Sequence, residues 1–408
     1  MDISIPPPAE EPFGALLRRA RERRGMTREV LGGLVGRSGE WVKGLETGRL
    51  HQPKLPMLLQ LAEALRVRDL SDLTGDVGAP VRLFAGPGHP ALPAVRNAIN
   101  AIPWADGPAE PLAALQGRLD AAWRARHASP DHRTVLGALL PRLIRDTQRA
   151  VRQYQGDEGR AARAVMAGVW NLTQFFLAYQ PDSGLLWRVA ERSVAAAQES
   201  DDPRAIGGAV WLLAQAHRDS GEFEAAAEVN RQALELLAPR LEGTGDEVAA
   251  IYGALLFEAA YTAARAGERG VAWGFWDRAD AVAQRLPAGY YDPMTSFSRV
   301  IMGAHAVTVA VEGRQGGESL RQARRTQSLP VPSQPRRGRH LIEVARAWHL
   351  TGDEAAALGT LGEAYATAPE TIRYNGYARA IAAEIGAGGN AGLRREAAVL
   401  AERIGAPA

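Results

Sequence analysis

Residues 28–47, REVLGGLVGRSGEWVKGLET, decide how the first part of this 408-residue chain folds. The fifth residue of the stretch, Gly32, is small enough to let two helices cross, and the ninth, Gly36, permits a sharp turn between them. The fifteenth and eighteenth residues, Val42 and Leu45, are apolar and are expected to face a core. Together, these four positions predict two short helices joined by a tight turn.

The sequence on either side of this stretch predicts two further helices that support it. Before it, residues 13–24 place apolar side chains on one face of a helix and arginines on the other, and Gly25 ends that helix. Thr27 and Ser38 are suitable N-cap residues for the next two helices. After it, residues 55–65 carry leucines at helical spacing.

The positive charge of the chain is concentrated in this region. Residues 13–70 contain twelve Lys or Arg and six Asp or Glu, whereas the whole chain has a formal net charge of only +2. A small cationic module attached to a nearly neutral body is typical of a nucleic-acid-binding protein. The chain has no cysteine, which excludes disulfides, thiol catalysis and cysteine-based metal sites.

The string LLRRARERRGMTREVLGGLVGRSGEWVKGLETGR, residues 16–49, resembles the lambda-repressor-like (XRE) family of helix-turn-helix proteins. That resemblance implies a DNA-binding domain over residues 13–74 whose third helix enters the major groove of double-stranded operator DNA. It also implies a structural ion pair between Arg21 and Glu46. The residues expected on the DNA-binding surface are Thr27, Arg28, Arg37, Ser38, Gly39, Glu40, Trp41, Lys43, Gly44 and Arg49.

Base readout by this third helix is expected to be sparse. Two residues of the surface are glycines, which have no side chain that could read a base. Glu40 can only accept from cytosine N4, and Lys43 can donate to guanine O6 or N7, so the remaining cations would hold the helix on the phosphate backbone. Trp41 either faces the duplex or packs against the loop around Leu50, and the sequence leaves both open.

The rest of the chain predicts a linker followed by a helical repeat domain. Residues 75–111 are rich in proline and glycine and are expected to form a linker or a draped loop. Over residues 112–406, three pairs of helical segments share one pattern, with Gly221, Gly267 or Gly352 turning between alanines that let two helices approach closely. Because these glycines are unevenly spaced, the pattern predicts a divergent tetratricopeptide-like α-solenoid of about five or six helix pairs.

The predicted protein is therefore all-α, with a lambda-repressor-like helix-turn-helix domain followed by a tetratricopeptide-like solenoid. Beyond the first domain, the strings LPAGYYDPMTSF, RRGRHLIEVARAWHLTGD and APETIRYNGYARAIAAEI resemble regulators found mainly in high-GC Gram-positive bacteria. In architecture the chain is similar to peptide-pheromone receptors, whose repeat domains bind a short peptide in a concave groove. These resemblances imply a homodimeric transcription regulator whose DNA binding responds to a peptide, a small molecule or a partner protein.

An effector is expected on the concave surface of the solenoid. An Asn side chain can bond both the N–H and the C=O groups of an extended peptide, although a capping or surface role is the alternative for each polar residue considered. Tryptophans that recur at helical spacing are expected in the core between repeats. The candidates for effector binding are Asn171, Gln174, Asn230, Tyr252, Tyr261, His305 and Asn375.

The sequence gives little support for catalysis, a cofactor or a metal. Its eight histidines include no HExxH pair. A G-x-G-x-x-A match at residues 386–391 follows a predicted helix and not a strand, so no dinucleotide site is expected. The first residues show no signal peptide, and no run of about 18 apolar residues is present, which predicts a cytosolic protein without membrane contact.

A second interpretation remains open. The repeats could form a protein-interaction scaffold, with a DNA-binding domain that is weakly specific or serves only autoregulation. The two glycines of the third helix favour this alternative. DNA affinity that falls steeply with salt but differs little between sequences would support it.

Overall fold

The computed structural model describes residues 13–50, 53, 55–67, 73, 88–102, 107–241, 245–326, 331–388 and 390–405. Residues 74 and 406, at which the two predicted domains end, lie outside this set. Within it, the protein consists of α-helices and two short 3-10 helices, without a strand. The chain divides into two compact units, Met1–Pro87 and Gly88–Ala408, which we call the head and the body.

The described part of the head contains the helices α1 (Phe13–Arg23), α2 (Arg28–Leu34), α3 (Gly39–Glu46) and α4 (Leu55–Ala64). The predicted N-caps are confirmed, because Thr27 Oγ1 accepts from the N–H of Val30 and Ser38 Oγ accepts from that of Trp41, both at 3.2 Å. Gly36 has a φ of +64°, a left-handed conformation that favours glycine, and it makes the turn between α2 and α3.

The crossings between these helices depend on two glycines. A Cβ on Gly32 would lie 2.6 Å from the carbonyl oxygen of Arg37, so the predicted need for a small residue at this position is confirmed. A Cβ on Gly14 would lie 2.5 Å from the carbonyl oxygen of Leu45, which shows that α1 crosses α3 at backbone contact. The predicted core residues Val42 and Leu45 are 0% and 2% exposed.

The described part of the body is built from helices that pack against their neighbours along the chain. They are α5 (Leu92–Asn100), α6 (Leu112–Ala128), α7 (His132–Gln153), α8 (Gly156–Leu177), α9 (Ser183–Ser200), α10 (Pro203–Asp219), α11 (Phe223–Leu237), α12 (Asp246–Ala266), α13 (Arg269–Ala283), α14 (Met302–Glu312), α15 (Gly316–Thr326), α16 (Gln334–Leu350), α17 (Glu354–Thr367), α18 (Pro369–Arg373), α19 (Gly376–Gly388) and α20 (Ala391–Ile404). The short 3-10 helices are Ala238–Arg240 and Arg299–Ile301.

The three predicted helix pairs are confirmed as α10 with α11, α12 with α13, and α16 with α17. Their turn residues Gly221, Gly267 and Gly352 have φ values of +83°, +89° and +82°. The alanines of the shared pattern are at most 3% exposed, as expected where paired helices approach closely. They are Ala214, Ala226 and Ala233, then Ala260, Ala272 and Ala279, then Ala345, Ala357 and Ala364.

The linker predicted over residues 75–111 is too long. Helix α5 lies inside that range and packs on α7, and it buries Val95 and Ile99 in the same hydrophobic core as α7 and α8. Pro93 is tolerated because it stands in the first turn of α5, where its missing N–H would have no helical partner. The body therefore begins at Gly88.

The two ends of the solenoid meet. The carboxylate of Glu370, in α18, accepts from the backbone N–H groups of Arg133 and Thr134 in the first turn of α7, at 2.5 and 3.1 Å. The Thr134 hydroxyl also donates to it at 2.6 Å, and a carboxylate at a helix N-terminus is electrostatically favourable. Nearby, Gln334 donates to the carbonyl of Ala128 at 2.9 Å. These contacts join early and late helices of the body beside a cavity that both line.

Candidate DNA-binding surface and effector cavity

A buried ion pair joins α1 to α3 in the head. Arg21 donates to Glu46 through Nε at 2.5 Å and through Nη2 at 3.3 Å, and the Glu46 side chain is 1% exposed. Arg21 also donates to the carbonyl of Met26 at 2.7 Å, which fixes the turn after α1. The structure thus places Arg21 and Glu46 in the ion pair that the sequence predicts.

Glu46 also holds Arg28 at the start of α2. Arg28 Nε donates to the second carboxylate oxygen at 2.8 Å, so a single carboxylate pairs with two guanidinium groups. Burial acts to raise the pKa of Glu46, but the hydrogen bonds from Arg21 and Arg28 outweigh it and hold that pKa below its usual value. Arg28 is therefore fixed against α3, next to the exposed Thr27.

The face of α3 opposite the core, with the residues flanking the helix, is polar and largely cationic. Lys43 Nζ lies 3.2 Å from Glu40 Oε1, and Arg49 donates to the Glu40 carbonyl at 3.4 Å. The Arg37 guanidinium lies 5.8 Å from the centre of the Trp41 ring. The residues of the predicted DNA-binding surface that are exposed here are Arg37, Ser38, Glu40, Lys43 and Arg49.

Three residues of the predicted surface are covered or partly covered. Gly44 is buried, because Leu50 folds over it and a Cβ would lie 2.9 Å from Leu50 Cδ1. Trp41 is half-buried against the hydrophobic core of the head. Gly39 is half-buried under the side chain of Glu29.

The body encloses a cavity of ≈ 530 Å³, a size that suits a small ligand. Its lining comes from α6 to α10, α12, α14, α16, α18 and α19, together with the loop that precedes the second 3-10 helix. Two of the recurring tryptophans face it, although the sequence favours a core role for them. The main apolar side chains of the wall are Phe175, Leu186, Trp187, Trp211, Phe257 and Met294.

Arginines dominate the charge of the cavity. Those that line it are Arg126, Arg133, Arg218, Arg265, Arg336 and Arg339. Three of them have carboxylate partners. Arg339 lies 2.5 Å from Glu343, and both Arg218 and Arg265 pair with Asp219, at 3.1 and 2.9 Å.

The other three arginines, Arg126, Arg133 and Arg336, have no carboxylate within 4 Å of the guanidinium among the residues that the structure describes. Arg133 donates instead to the carbonyls of Phe175 and Phe176 at the end of α8, at 3.0 and 2.5 Å. The guanidinium of Arg126 lies 4.3 Å from the centre of the Phe175 ring. The sequence offers no signal for this trio, because helical periodicity does not show which arginines face an interior space.

Most of the predicted effector-binding residues are found at or beside the cavity. Asn171 does not line it but donates to the sulfur of Met294, which does, at 3.3 Å, and accepts from Ser193 at 2.6 Å. The predicted residues that line the cavity are Gln174, Tyr261, His305 and Asn375.

Tyr261 and His305 are both buried in the cavity wall. The hydroxyl of Tyr261 donates to Glu312 at 3.3 Å and accepts from Arg339 at 3.1 Å, and burial raises its pKa. His305 stacks on Phe257 with 3.4 Å between ring centres, and burial holds its pKa well below the usual value. At neutral pH both rings are therefore uncharged.

Two predicted effector-binding residues lie elsewhere. Asn230 donates to the carbonyl of Leu255 at 3.0 Å and joins α11 to α12 as a structural contact. Tyr252 lines a separate groove of ≈ 580 Å³ formed by α11, α12 and α13. The structure therefore does not bring these two residues to the cavity that the others line or adjoin.

No helix in the described part of the chain is long and apolar enough to cross a membrane. Over the same residues, no group of three or more His, Asp or Glu side chains is arranged to hold a metal ion. Gly386 and Gly388 of the G-x-G-x-x-A match lie within α19, so this match has no strand before it, as predicted.

Comparison with known proteins identifies the head. Residues 12–73 match the family model of a helix-turn-helix domain. Among solved structures, the chain is similar to BtubC (BKLC) from P. vanneervenii, with 15% identity, coverage of 62% of this chain and 91% of that one, and a TM-score of 0.36. It is also similar to Bacillus thuringiensis PlcR in complex with the peptide PapR7 and DNA, with 11% identity, coverage of 86% and 99%, and a TM-score of 0.30.

Curated protein sequences include no significant match to this chain. Residues 12–73 thus match a helix-turn-helix domain, and the described part of the body consists of packed helix pairs.

Proposed function

We propose that this chain is a sequence-specific transcription regulator that binds double-stranded operator DNA as a homodimer. The observation that carries the proposal is the build of α3. One face of this helix is anchored by Val42 and Leu45, and the ion pairs of Glu46 hold its end, while its opposite face is exposed and bears cations. A rigid helix with a free polar face is what the major groove admits.

The residues of this surface divide into two roles. Arg37 and Arg49 would contact phosphates and set the position of α3, together with Thr27 and the exposed part of Arg28. Lys43 and Glu40 would read base edges, since they occupy successive exposed positions of the helix. Their mutual ion pair, at 3.2 Å between exposed groups, costs little to open on contact with a base.

A homodimer would match the two-fold symmetry of an operator. Two copies of α3 would then reach successive major grooves about 34 Å apart, one helical turn of DNA. An effector in the body, a peptide or a small molecule, would alter how the two heads are spaced and would thereby change DNA affinity.

The test is selection of binding sites from a randomised duplex pool by the full-length protein. We expect enrichment of a two-fold symmetric sequence whose half-sites are about 10 base pairs apart, or a multiple of that spacing. On the selected duplex, Arg37→Gln and Lys43→Gln should each weaken binding by about tenfold, or about 1.4 kcal/mol. The matched control is Arg24→Gln, at an exposed arginine just after α1 that should leave affinity unchanged. Failure to enrich any sequence, with both variants binding like wild type, would remove this interface.

The burial of Gly44 and the pairing of Glu40 with Lys43 favour one alternative, a protein-interaction scaffold with a weakly specific head. Few side chains are then available to read bases. In that case DNA affinity would depend on salt but hardly on sequence.

A further inference from the structure

The cavity of the body contains more positive charge than its own carboxylates neutralise. Arg126 and Arg336 line it, and each lacks a carboxylate within 4 Å among the described residues. Arg133, the third such arginine, is at least held by two main-chain carbonyls. Arg126 has no comparable oxygen partner, and its closest contacts are the Phe175 ring and, at 3.4 Å, a ring nitrogen of His127.

These guanidinium groups lie near enough to repel one another. Burial is the main cause that lowers the pKa of Arg126 to about 9; Tyr291 opposes this effect, and the charges of Arg133 and Arg336 add to it. Arg126 still carries its proton at neutral pH, so the protein maintains like charges around one interior space. Repulsion of this kind is relieved when an anion binds between the cations.

The unpartnered hydrogen-bonding groups of the lining are mostly donors, which also suits an anion. The Nε atoms of Arg126 and Arg133, the indole of Trp211 and the amide nitrogen of Asn375 are buried donors without a protein partner in the described chain. The orientation of the Asn375 amide is set, because its oxygen accepts from the N–H of Ala378 at 3.1 Å.

No side-chain carbonyl or carboxylate oxygen of the described lining is left unpartnered in the same way. The remaining unpartnered groups of the lining are the amide nitrogens of Gln174, Gln180 and Gln215, the hydroxyl of Thr371 and one ring nitrogen each of His132 and His305. Because buried polar groups are normally hydrogen-bonded, a lining with spare donors fits a ligand rich in acceptors.

The rest of the wall requires an apolar portion of that ligand. The polar groups named above stand beside Phe175 and Trp211, and Phe257 and Met294 extend the apolar wall. A cavity of ≈ 530 Å³ is large enough for a ligand of about two or three residues or a substituted aromatic acid.

We propose that this cavity binds a carboxylate carried on an apolar body, with Arg126 and Arg336 holding the carboxylate. The C-terminus of a short apolar peptide and a small organic acid both present this chemistry. The proposal deepens the effector part of the proposed function and rests on it for its regulatory meaning. The binding event itself does not require DNA.

The test is isothermal titration of the full-length protein, without DNA, with two matched pairs of probes. The first pair is 4-phenylbutanoate and its neutral amide, and the second is acetyl-Phe-Leu with a free or an amidated carboxyl end. We expect at least one acid to bind and its amide to bind at least tenfold more weakly. Binding by the peptide acid alone, or by phenylbutanoate alone, supports the proposal and identifies the source of the carboxylate.

Variants locate the binding site. Arg126→Gln and Arg336→Gln should each weaken binding of the acid at least tenfold, with an unchanged helical circular dichroism spectrum. Arg325→Gln is the matched control, because this arginine of α15 is exposed and does not line the cavity. Arg336 is less buried than Arg126, so its replacement tests the site even if Arg126→Gln perturbs folding.

Three results would overturn the proposal: no binding of either acid at 10 mM, equal binding of acid and amide, or unchanged acid affinity in a folded Arg336→Gln variant. None of these results depends on the head. If the protein selects no DNA sequence yet binds the acid through Arg336, the proposed function fails and the ligand site stands. If it selects a DNA sequence but binds neither acid, the ligand site fails and the proposed function stands.

Discussion

The buried arginine of the head is paired with a carboxylate, whereas only some of the arginines around the cavity of the body are. In the head, one carboxylate, that of Glu46, pairs with both Arg21 and Arg28, and the cations of the α3 surface face outward. In the body, Arg126 and Arg336 face an interior cavity without a carboxylate partner in the described chain. The buried cations of the head thus have a carboxylate of their own, whereas the two cavity arginines are available to the anion that we propose.

The two units also differ in the range of their decisive contacts. The Arg21–Glu46 pair joins residues 25 positions apart, whereas Glu370 reaches Arg133 across 237 positions. The head therefore depends on contacts within one short segment. The cavity of the body exists only because the far end of the solenoid returns to its beginning.

The largest expected effect comes from removing the buried carboxylate of Glu46 in the head. Glu46→Ala removes the buried carboxylate that pairs with both Arg21 and Arg28, and we expect the head to lose about 3 kcal/mol of unfolding free energy. Hydrogen exchange measured by mass spectrometry should show faster exchange across residues 13–50 and unchanged exchange across the body. Glu63→Ala is the control, because this glutamate of α4 is exposed and its replacement should change stability little. Equal protection of the head in Glu46→Ala and wild type would contradict this account.

The next effect concerns the wall of the cavity. A Cβ on Gly253 would lie well inside van der Waals contact with the ring of Phe297, which is fully buried. Gly253→Ala should therefore cost about 2 kcal/mol in unfolding free energy. It should also weaken binding of 4-phenylbutanoate, since Phe297 directly follows the loop residues that line the cavity. Gly270→Ala, in open space on α13, is the control and should retain wild-type stability and binding.

Lowering the pH should destabilise the body more than the head. Burial lowers the pKa of both His127 and His340 to about 4, so each binds a proton more readily in the unfolded chain, where its pKa is about 6.5. Their stabilising contribution is present above pH 6.5 and is lost as the pH falls toward 4, by at most about 1.4 kcal/mol per pH unit for each histidine.

The head has the opposite kind of group in Glu46. Its lowered pKa means that stability persists until the pH falls below the usual carboxyl range. The described residues of the head include no histidine, and His51 lies outside them. Calorimetry at pH 7, 6 and 5 should therefore show the transition of the body falling while that of the head holds. A head that melts first on acidification would contradict this reasoning.

The smallest expected effect on acid binding distinguishes the cavity from the separate groove that Tyr252 lines. Tyr261→Phe removes a hydroxyl that accepts from Arg339 in the cavity wall, and we expect acid binding to weaken by about threefold. Tyr252→Phe, in the separate groove, should leave acid binding unchanged. Titration of both variants with 4-phenylbutanoate measures the difference, and a larger effect of Tyr252→Phe would place the ligand in the groove instead.

Local signals in the sequence predict much of the fold. The caps at Thr27 and Ser38, the turn at Gly36 and the alanine offsets of the body all follow from rules that act over a few residues. These rules do not predict helix α5, because Pro93 is read as a helix breaker until its place in the first turn is known. These rules do not predict the burial of Gly44, because only the path of the chain after α3 brings Leu50 over it.

The effector cavity is less predictable for a related reason. Polar residues such as Gln174 and Asn375 attract attention by type, and both line the cavity. Arg126 and Arg336 resemble the many solvated arginines of this chain, and only the closure of the superhelix distinguishes them. Asn230 also attracts attention by type, but its buried amide makes a structural hydrogen bond between two helices.

The most direct test of the central claim is the salt dependence of DNA binding by the full-length protein on the selected duplex and on a scrambled one. The account predicts that log affinity falls linearly with log salt for both, and that the selected duplex binds at least about a thousandfold more tightly at physiological salt. Arg37→Gln should reduce the slope by about one. Equal affinity for the two duplexes at every salt concentration would contradict a sequence-specific regulator and leave the scaffold interpretation.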